Sequence, residues 1–527
     1  MKKIAILLLL LMVIPSLSAC SFAGVTVTES ENGSSEESQT EAVSTAISSE
    51  MFTDRDLEIG YDEETSTQIT LSGGSASSDS DAVQISGSTV TITDEGTYIL
   101  SGTLNDGMIV VSAEDTDKIQ LVLDNVEITS SDSAAIYVLE ADKVFITTAS
   151  GSENSLANGG EYVAIDDNNI DAVIFSKSDL TLNGAGTLTI NAAAGHGVVS
   201  KDDLVLTSGA YTITAASQGL SGKDSVRIAN GTYTITSGKD GIHAENTDDA
   251  SLGFLYISGG TFTITAEGDG MSASAYLQIE GGTFTVTTGE GSASATMTTD
   301  TMDFGQRGGS QSETTTTEED SASQKGIKAD GAVTITGGSF VTDTVDDSIH
   351  AGGDILISDG QFELSSGDDA IHSDAGVTIQ SGTFTISYCY EGIEGLSITI
   401  DDGTFDITSV DDGLNSAGGT DSSGFGGARP GQEQFSASSD SFITINDGNF
   451  EIVSTGDCID SNGALTINGG TLNLTCNGNG NTALDCDGTY ANNGGDVTTN
   501  DGSENNPGQM GGGTPEQGGM GRGRGGF

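Results

Sequence analysis

Between Tyr211 and Phe405 an aromatic residue returns at almost fixed steps. Tyr211 to Tyr233, Phe262 to Phe284, Phe340 to Phe362 and Phe362 to Phe384 are each 22 residues apart, and Phe405 follows at 21. Later copies carry an acidic pair and then an apolar residue: Asp346-Asp347-Ser348-Ile349, Asp368-Asp369-Ala370-Ile371 and Asp411-Asp412-Gly413-Leu414. Periods of this size are the signature of a solenoid, in which equivalent positions of successive repeats stack on one another. A residue repeated in sequence then becomes a ladder in space. This chain builds a ladder of aspartates.

Residues 368–389 illustrate one coil. The acidic corner leads into Ile371, Gly376-Val377-Thr378-Ile379 reads as a strand, Ser381-Gly382 turns, and Thr383-Phe384-Thr385-Ile386 reads as a second strand. Alternation places Ile371, Val377, Ile379, Phe384 and Ile386 inside. Helical periodicity is scarce and short alternating runs such as Thr261-Phe262-Thr263-Ile264-Thr265 recur, so the expected class is all-β. Coils of about 22 residues with short strands are the arithmetic of a parallel β-helix. The copies from Val90 to Ile128 are less regular, as expected where the stack is initiated.

One elongated domain over residues 51–490 follows, with inserts near 289–323 and 418–440 and a smaller one near 245–253. Inserts leaving a solenoid often mark its binding face, although polar ones are also simply tolerated. Residues 491–527, rich in Gly, read as a disordered tail, and residues 21–50 as a Ser/Glu/Thr linker. Residues 1–20 read as a lipoprotein signal peptide: Lys2-Lys3, an apolar run from Ile4 to Ile14, then Leu17-Ser18-Ala19-Cys20, which resembles a bacterial lipobox. On that reading Cys20 is acylated and holds the protein on the extracellular face of a bacterial membrane, the lipid being its only membrane contact.

The formal net charge is −62. It excludes nucleic acid as a direct partner, because phosphate binding needs Lys and Arg, and it favours cations. Cys389, Cys458, Cys476 and Cys486 remain after Cys20, and sequence does not choose among their three pairings or plain core packing. No spacing among them suits zinc.

The acidic ladder comprises Asp240, Asp269, Asp346, Asp347, Asp368, Asp369, Glu391, Asp411, Asp412, Asp457 and Asp460. At a coil spacing of about 4.8 Å, neighbouring like charges repel by roughly 1 kcal/mol in water and about 3.5 kcal/mol at an effective dielectric near 20. A cation among them relieves this, and a hard ion taking about six to eight oxygens fits best, which describes calcium. Asp also simply favours turns, which explains single Asp-Gly steps without a metal. A second polar column runs beside the ladder: His243, Lys328, His350, His372, Glu394, Asn415, Asp460 and Asp485. Its first six members are candidates for ligand contact, or for a solvent-facing rung. No Ser/His/Asp constellation or phosphate loop is present.

Over about residues 51–488 the chain resembles a family of bacterial secreted carbohydrate-binding proteins. The resemblance rests on the opening segment Phe52-Thr53-Asp54-Arg55-Asp56-Leu57, on TDEGTYILSGTLNDG and DTDKIQLVLDNVEITS, and on the GGTFTIT and DDAIH units. It implies a right-handed parallel β-helix of pectate-lyase-like architecture, bound calcium, and binding of cellulose and acidic sugars such as polygalacturonate. It also implies binding rather than catalysis, and the expected state is a monomer. Two alternatives stay open: a calcium-dependent polysaccharide lyase, for which Lys239 or Lys328 offers a base, and a structural or adhesive surface solenoid. With no Trp in the chain, recognition falls to calcium, the polar rungs and tyrosines such as Tyr388 and Tyr390.

Overall fold

A computed structural model describes residues 51–295, 323–417 and 440–507. The signal peptide, Cys20 and the linker lie outside the described residues, as do 296–322 and 418–439 within the inserts and 508–527 of the tail. The described chain is almost entirely strand, in one long and mostly parallel sheet consistent with a solenoid. Two antiparallel pairs occur near its start, Thr67–Gly73 with Ala76–Ser77 and Val83–Ser86 with Thr89–Ile92. Among the described residues no helix is long and apolar enough to cross a membrane.

The aromatic period is the core. Phe340 pairs with Phe362, Phe362 with Phe384 and Phe384 with Phe405, all in register. From Tyr211 to Phe450 the rings stack with centroids 4.6–5.3 Å apart and planes within 10°. Burying each ring contributes roughly 1.5–3 kcal/mol. The glycine two residues before each Phe is required by that stack. At Gly382 φ is +130°, and a Cβ would lie 3.0 Å from the Phe384 ring and 3.2 Å from the Gly360 carbonyl. Ile371, Val377, Ile379, Phe384 and Ile386 are all buried, as alternation requires.

The inserts leave this register untouched. Ile242 pairs with Met271, Phe284 with Phe340 and Phe405 with Phe450 across the three interruptions. The four described cysteines are buried and free, so the chain uses them as core packing rather than as staples.

Strand structure runs further than the composition suggests. Tyr490–Asn492 pairs with Ala464–Ile467, and Asp496–Thr499 with Thr471–Cys476, so disorder does not begin at residue 491. Asparagines replace apolar burial here. Asn500 donates to the Cys476 carbonyl (2.7 Å) and accepts its N–H (3.1 Å), while Asn493 bonds Asn468 and Asn468 bonds Asn446, each at 2.8 Å.

The opening segment is a clasp on the flank of the stack. Thr53 caps the helical turn Asp54–Leu57 in a reciprocal capping box with Asp56. Asp56 is buried, with Lys143 Nζ 2.8 Å and the Thr181 hydroxyl 2.6 Å from Oδ1. Its backbone carbonyl accepts from Thr207 Oγ1 at 2.7 Å. Arg55 lies over the Phe145 ring, Arg227 donates to the Met51 carbonyl, and Phe52 packs on Tyr256. Seven residues, Met51 to Leu57, thus bind strands far apart in sequence.

Candidate functional site

Each repeat turns its corner one step before a short apolar strand, through the pattern Asp240-Gly241-Ile242, Asp369-Ala370-Ile371, Asp412-Gly413-Leu414. Parallel pairing brings these corners into one row, because the corner carbonyl of one coil accepts an N–H from the preceding coil: Gly219 N–H to Asp240, Gly241 to Asp269, Gly392 to Asp412 and Gly413 to Asp457.

The carboxylates have a structural task in this row. Asp240 Oδ1 accepts the backbone N–H of Asp269 (2.9 Å), Asp347 Oδ1 that of Asp369 (3.0 Å), Asp369 Oδ1 that of Glu391 (3.1 Å), and Asp412 Oδ1 that of Asp457 (2.6 Å). Asp457 in turn accepts the N–H of Thr482. Each acid therefore satisfies a backbone donor of the next corner, which would otherwise be costly inside the protein. This explains the acidic period without any ion and leaves one oxygen per group for other work.

The second column is also brought into register. His243, Ser272, Lys328, His350, His372, Glu394, Asn415, Asp460 and Asp485 are successive pairing partners. Its cationic members serve the ladder. His243 Nδ1 lies 2.7 Å from Asp240 Oδ2, Lys328 Nζ 3.6 Å from Asp269 Oδ2, and His350 Nδ1 2.9 Å from Asp347 Oδ2. His372 Nδ1 is shared by Asp369 (3.0 Å) and Glu394 (2.7 Å). His350 and His372 are both buried beneath the surface of the column. His243, Lys328, Glu394 and Asn415 are placed in the same column, Asn415 buried and the other three half-buried.

Lys325 sits in the ladder itself. Its backbone N–H donates to Asp269 Oδ1 at 2.8 Å, and its ammonium lies 3.0 Å from Asp346 Oδ1 and 2.6 Å from Asp347 Oδ2. An ammonium therefore stands between the carboxylates of Asp346 and Asp347. The signal was in the sequence: Lys325-Gly326-Ile327 has the corner pattern with lysine in place of aspartate.

The column then changes sign. Where the earlier corners face His243, Ser272, Lys328, His350 and His372, the last four face Glu394, Asn415, Asp460 and Asp485. Among the described residues no basic side chain pairs with Glu391, Asp412, Asp457 or Asp460. Asn415 Nδ2 donates to Glu391 Oε2 at 2.9 Å, whereas its buried Oδ1 has no partner there. Oxygens of Asp457, Asp460 and Asp485 lie within 4.8 Å of one another.

The ionisation equilibria record the same change. Burial opposes the charge on Asp347, but Lys325 and His350 hold its carboxyl below the usual carboxylate range. Burial is outweighed at Asp240 by His243, with the same result. Burial and the charge of Asp368 push Asp369 well up, and burial with Glu394 does so for Glu391. Burial and Asp460 raise Asp412. Burial lifts Asp457 to about 8, and burial with Asp485 lifts Asp460 to about 7. His372, despite burial, is held protonated by Asp369 and Glu394.

A family model described as carbohydrate-binding domain-containing protein matches residues 86–370 and 368–509. A protein of that description from Acetivibrio thermocellus is 41% identical over 137 residues, 26% of this chain and 48% of its own length. The match thus spans about half of that relative. A solved structure of a polysaccharide lyase-like protein from C. thermocellum, a gadolinium derivative, is 37% identical, covering 42% of this chain and 91% of its own, with a TM-score of 0.42.

Proposed function

The chain belongs to the family of carbohydrate-binding domain-containing proteins, and from that premise we propose that it binds an acidic polysaccharide through calcium and does not cleave it. In this reading the solenoid is a right-handed parallel β-helix with coils of about 22 residues. Acylated Cys20 tethers a monomer outside the cell, so that polysaccharide is the partner and the lipid the only membrane contact.

The observation that carries the calcium part is the change of sign in the second column. Glu391, Asp412, Asp457 and Asp460 bring acid against acid, with the orphaned Asn415 Oδ1 beside Glu391. An oxygen without a donor among anionic oxygens is satisfied by a cation, and an all-oxygen set suits calcium. Over Asp346 and Asp347 an ammonium already competes with a metal, because Lys325 holds an oxygen of each. Asp240 and Asp269 are similarly engaged by His243 and Lys328. His372 likewise engages Asp369, so the proposed calcium belongs to the half of the ladder from Glu391 onward, with Asp411, Asp412, Asp457 and Asp460. Bound there, the ion supplies charge that uronate carboxylates share.

Binding rather than catalysis is supported by the lysines at the corner. Lys325 and Lys328 are ion-paired with aspartates, a charge-balancing arrangement rather than that of a free base.

Titrating metal-free protein with calcium tests this. Binding to the folded state alone adds about 2.7 kcal/mol at a hundredfold excess over Kd. The melting temperature should rise, and Glu391→Gln with Asp412→Asn should remove the rise. An unmoved melting temperature in the unaltered protein would sink the calcium assignment.

A further inference from the structure

On the outer face of five successive strands, Thr187–Ala192, Ala210–Ala215, Thr232–Ser237, Thr261–Ala266 and Thr283–Thr288, thirteen of the fifteen outward positions in register are threonine, and the other two are Ala210 and Asn191. The central column is Thr189, Thr212, Thr234, Thr263 and Thr285. Threonine is a good strand former, but propensity does not explain why charge is missing. In later coils the same columns carry Asp343, Glu363, Asp406 and Glu451. In a chain of net charge −62, this face is kept neutral.

It is also regular, and its hydroxyls are almost free of protein partners. The rings beneath it stack at 5.3, 4.8 and 4.8 Å with planes within 10°, so the hydroxyl rows repeat at that pitch on a flat surface. Apart from Thr187, whose hydroxyl reaches the Ser152 carbonyl at 3.5 Å, none of these hydroxyls bonds to another described residue. At its N-terminal edge the face opens into a cleft of about 620 Å³ lined by Thr187, Thr189, Thr212, Asn125 and Glu153.

We propose that this face docks a neutral, extended polysaccharide lying along the stack, about one sugar ring per strand. Each threonine offers a hydroxyl to the sugar's hydroxyls and a methyl to its C–H face. A neutral chain buries no charge there, whereas a polyuronate would meet the acidic flanks with no ion to bridge them. The inference rests on the family's carbohydrate binding and is independent of the acidic corner.

The test uses the full chain with cellohexaose and microcrystalline cellulose as probes, both in chelator. Thr234→Glu with Thr263→Glu should weaken binding at least tenfold, and the fold tolerates the change because Glu363 and Glu451 occupy the same column. Thr234→Val with Thr263→Val, which keeps shape and removes two hydroxyls, should weaken it severalfold. Polygalacturonate retention in calcium should be unchanged in both variants. Wild-type affinity in the valine and glutamate variants, or no binding of either neutral probe by the unaltered protein, would overturn the proposal. Loss of polygalacturonate retention in the variants would also overturn it, whereas an unaltered protein that binds the neutral probes and no polygalacturonate would overturn the calcium reading and support this one.

Discussion

Lys143→Met should release the opening segment from the flank of the solenoid. Lys143 is nine-tenths buried and holds the buried Asp56 carboxylate at 2.8 Å, and the remaining partners of that carboxylate are hydroxyls and a backbone N–H of Thr53 and Thr181. Removing one partner of a buried pair costs about 3–5 kcal/mol, because the other charge stays buried. In a repeat protein contacts are between neighbours, so the loss concentrates near the clasp and the first coils rather than spreading along the stack. Native-state hydrogen exchange over residues 51–61 should accelerate by roughly 140- to 4,000-fold, at 1.4 kcal/mol per decade. The double variant Asp56→Asn with Lys143→Met should recover part of this, since no bare charge remains. The sign with pH is fixed by Asp56, whose carboxyl is held low by Lys143 and Thr181 despite its burial. The stabilisation is complete above the unfolded carboxylate value near 3.8 and fades as pH falls through the lower folded value. Exchange in Lys143→Met within threefold of the unaltered protein at pH 7 would refute the reasoning.

Other outcomes follow from the corner and the core. Without calcium, stability should fall as pH rises from about 5 to 8: the raised carboxyls of Asp457 and Asp460 keep their protons in the folded state while the unfolded chain has lost them. Thermal melts in chelator read this directly, and a flat or rising profile contradicts it. Lys325→Met should destabilise the metal-free protein and add a calcium-dependent gain in melting temperature, because Asp346 and Asp347 lose their ammonium. Phe362→Ala should cost about 3–5 kcal/mol by opening the stack between Phe340 and Phe384, measured by urea denaturation. Cys20→Ser should move the protein from the membrane fraction to the medium, as fractionation would show.

Much of this was legible because the period is literal. Phe362 and Phe384 are 22 apart in the chain and adjacent in register, so the core could be read by counting. The columns were legible for the same reason, including their composition. Their roles were not. A carboxylate that accepts its neighbour's N–H and one that awaits a metal look identical in sequence, and only the distances separate Asp240 from Asp412. Lys325 is hard to read as a corner residue because it directly follows an insert, although it keeps the corner pattern. Residues 491–507 read as disordered because they lack apolar residues, yet asparagine side chains and the exposed edge of the last coil order them. The clasp was opaque for a different reason: Asp56 meets Lys143 and Thr181 across 125 positions or fewer, and no local pattern announces such a partner.

The most direct measurement is calorimetric titration of oligogalacturonate into the protein, in calcium and in chelator, while the near-ultraviolet absorbance of unsaturated uronate is followed. Binding in calcium that disappears in chelator, with no absorbance growth, is the result this account predicts. Binding that persists in chelator would contradict the calcium bridge, and steady growth of unsaturated product would contradict binding without cleavage.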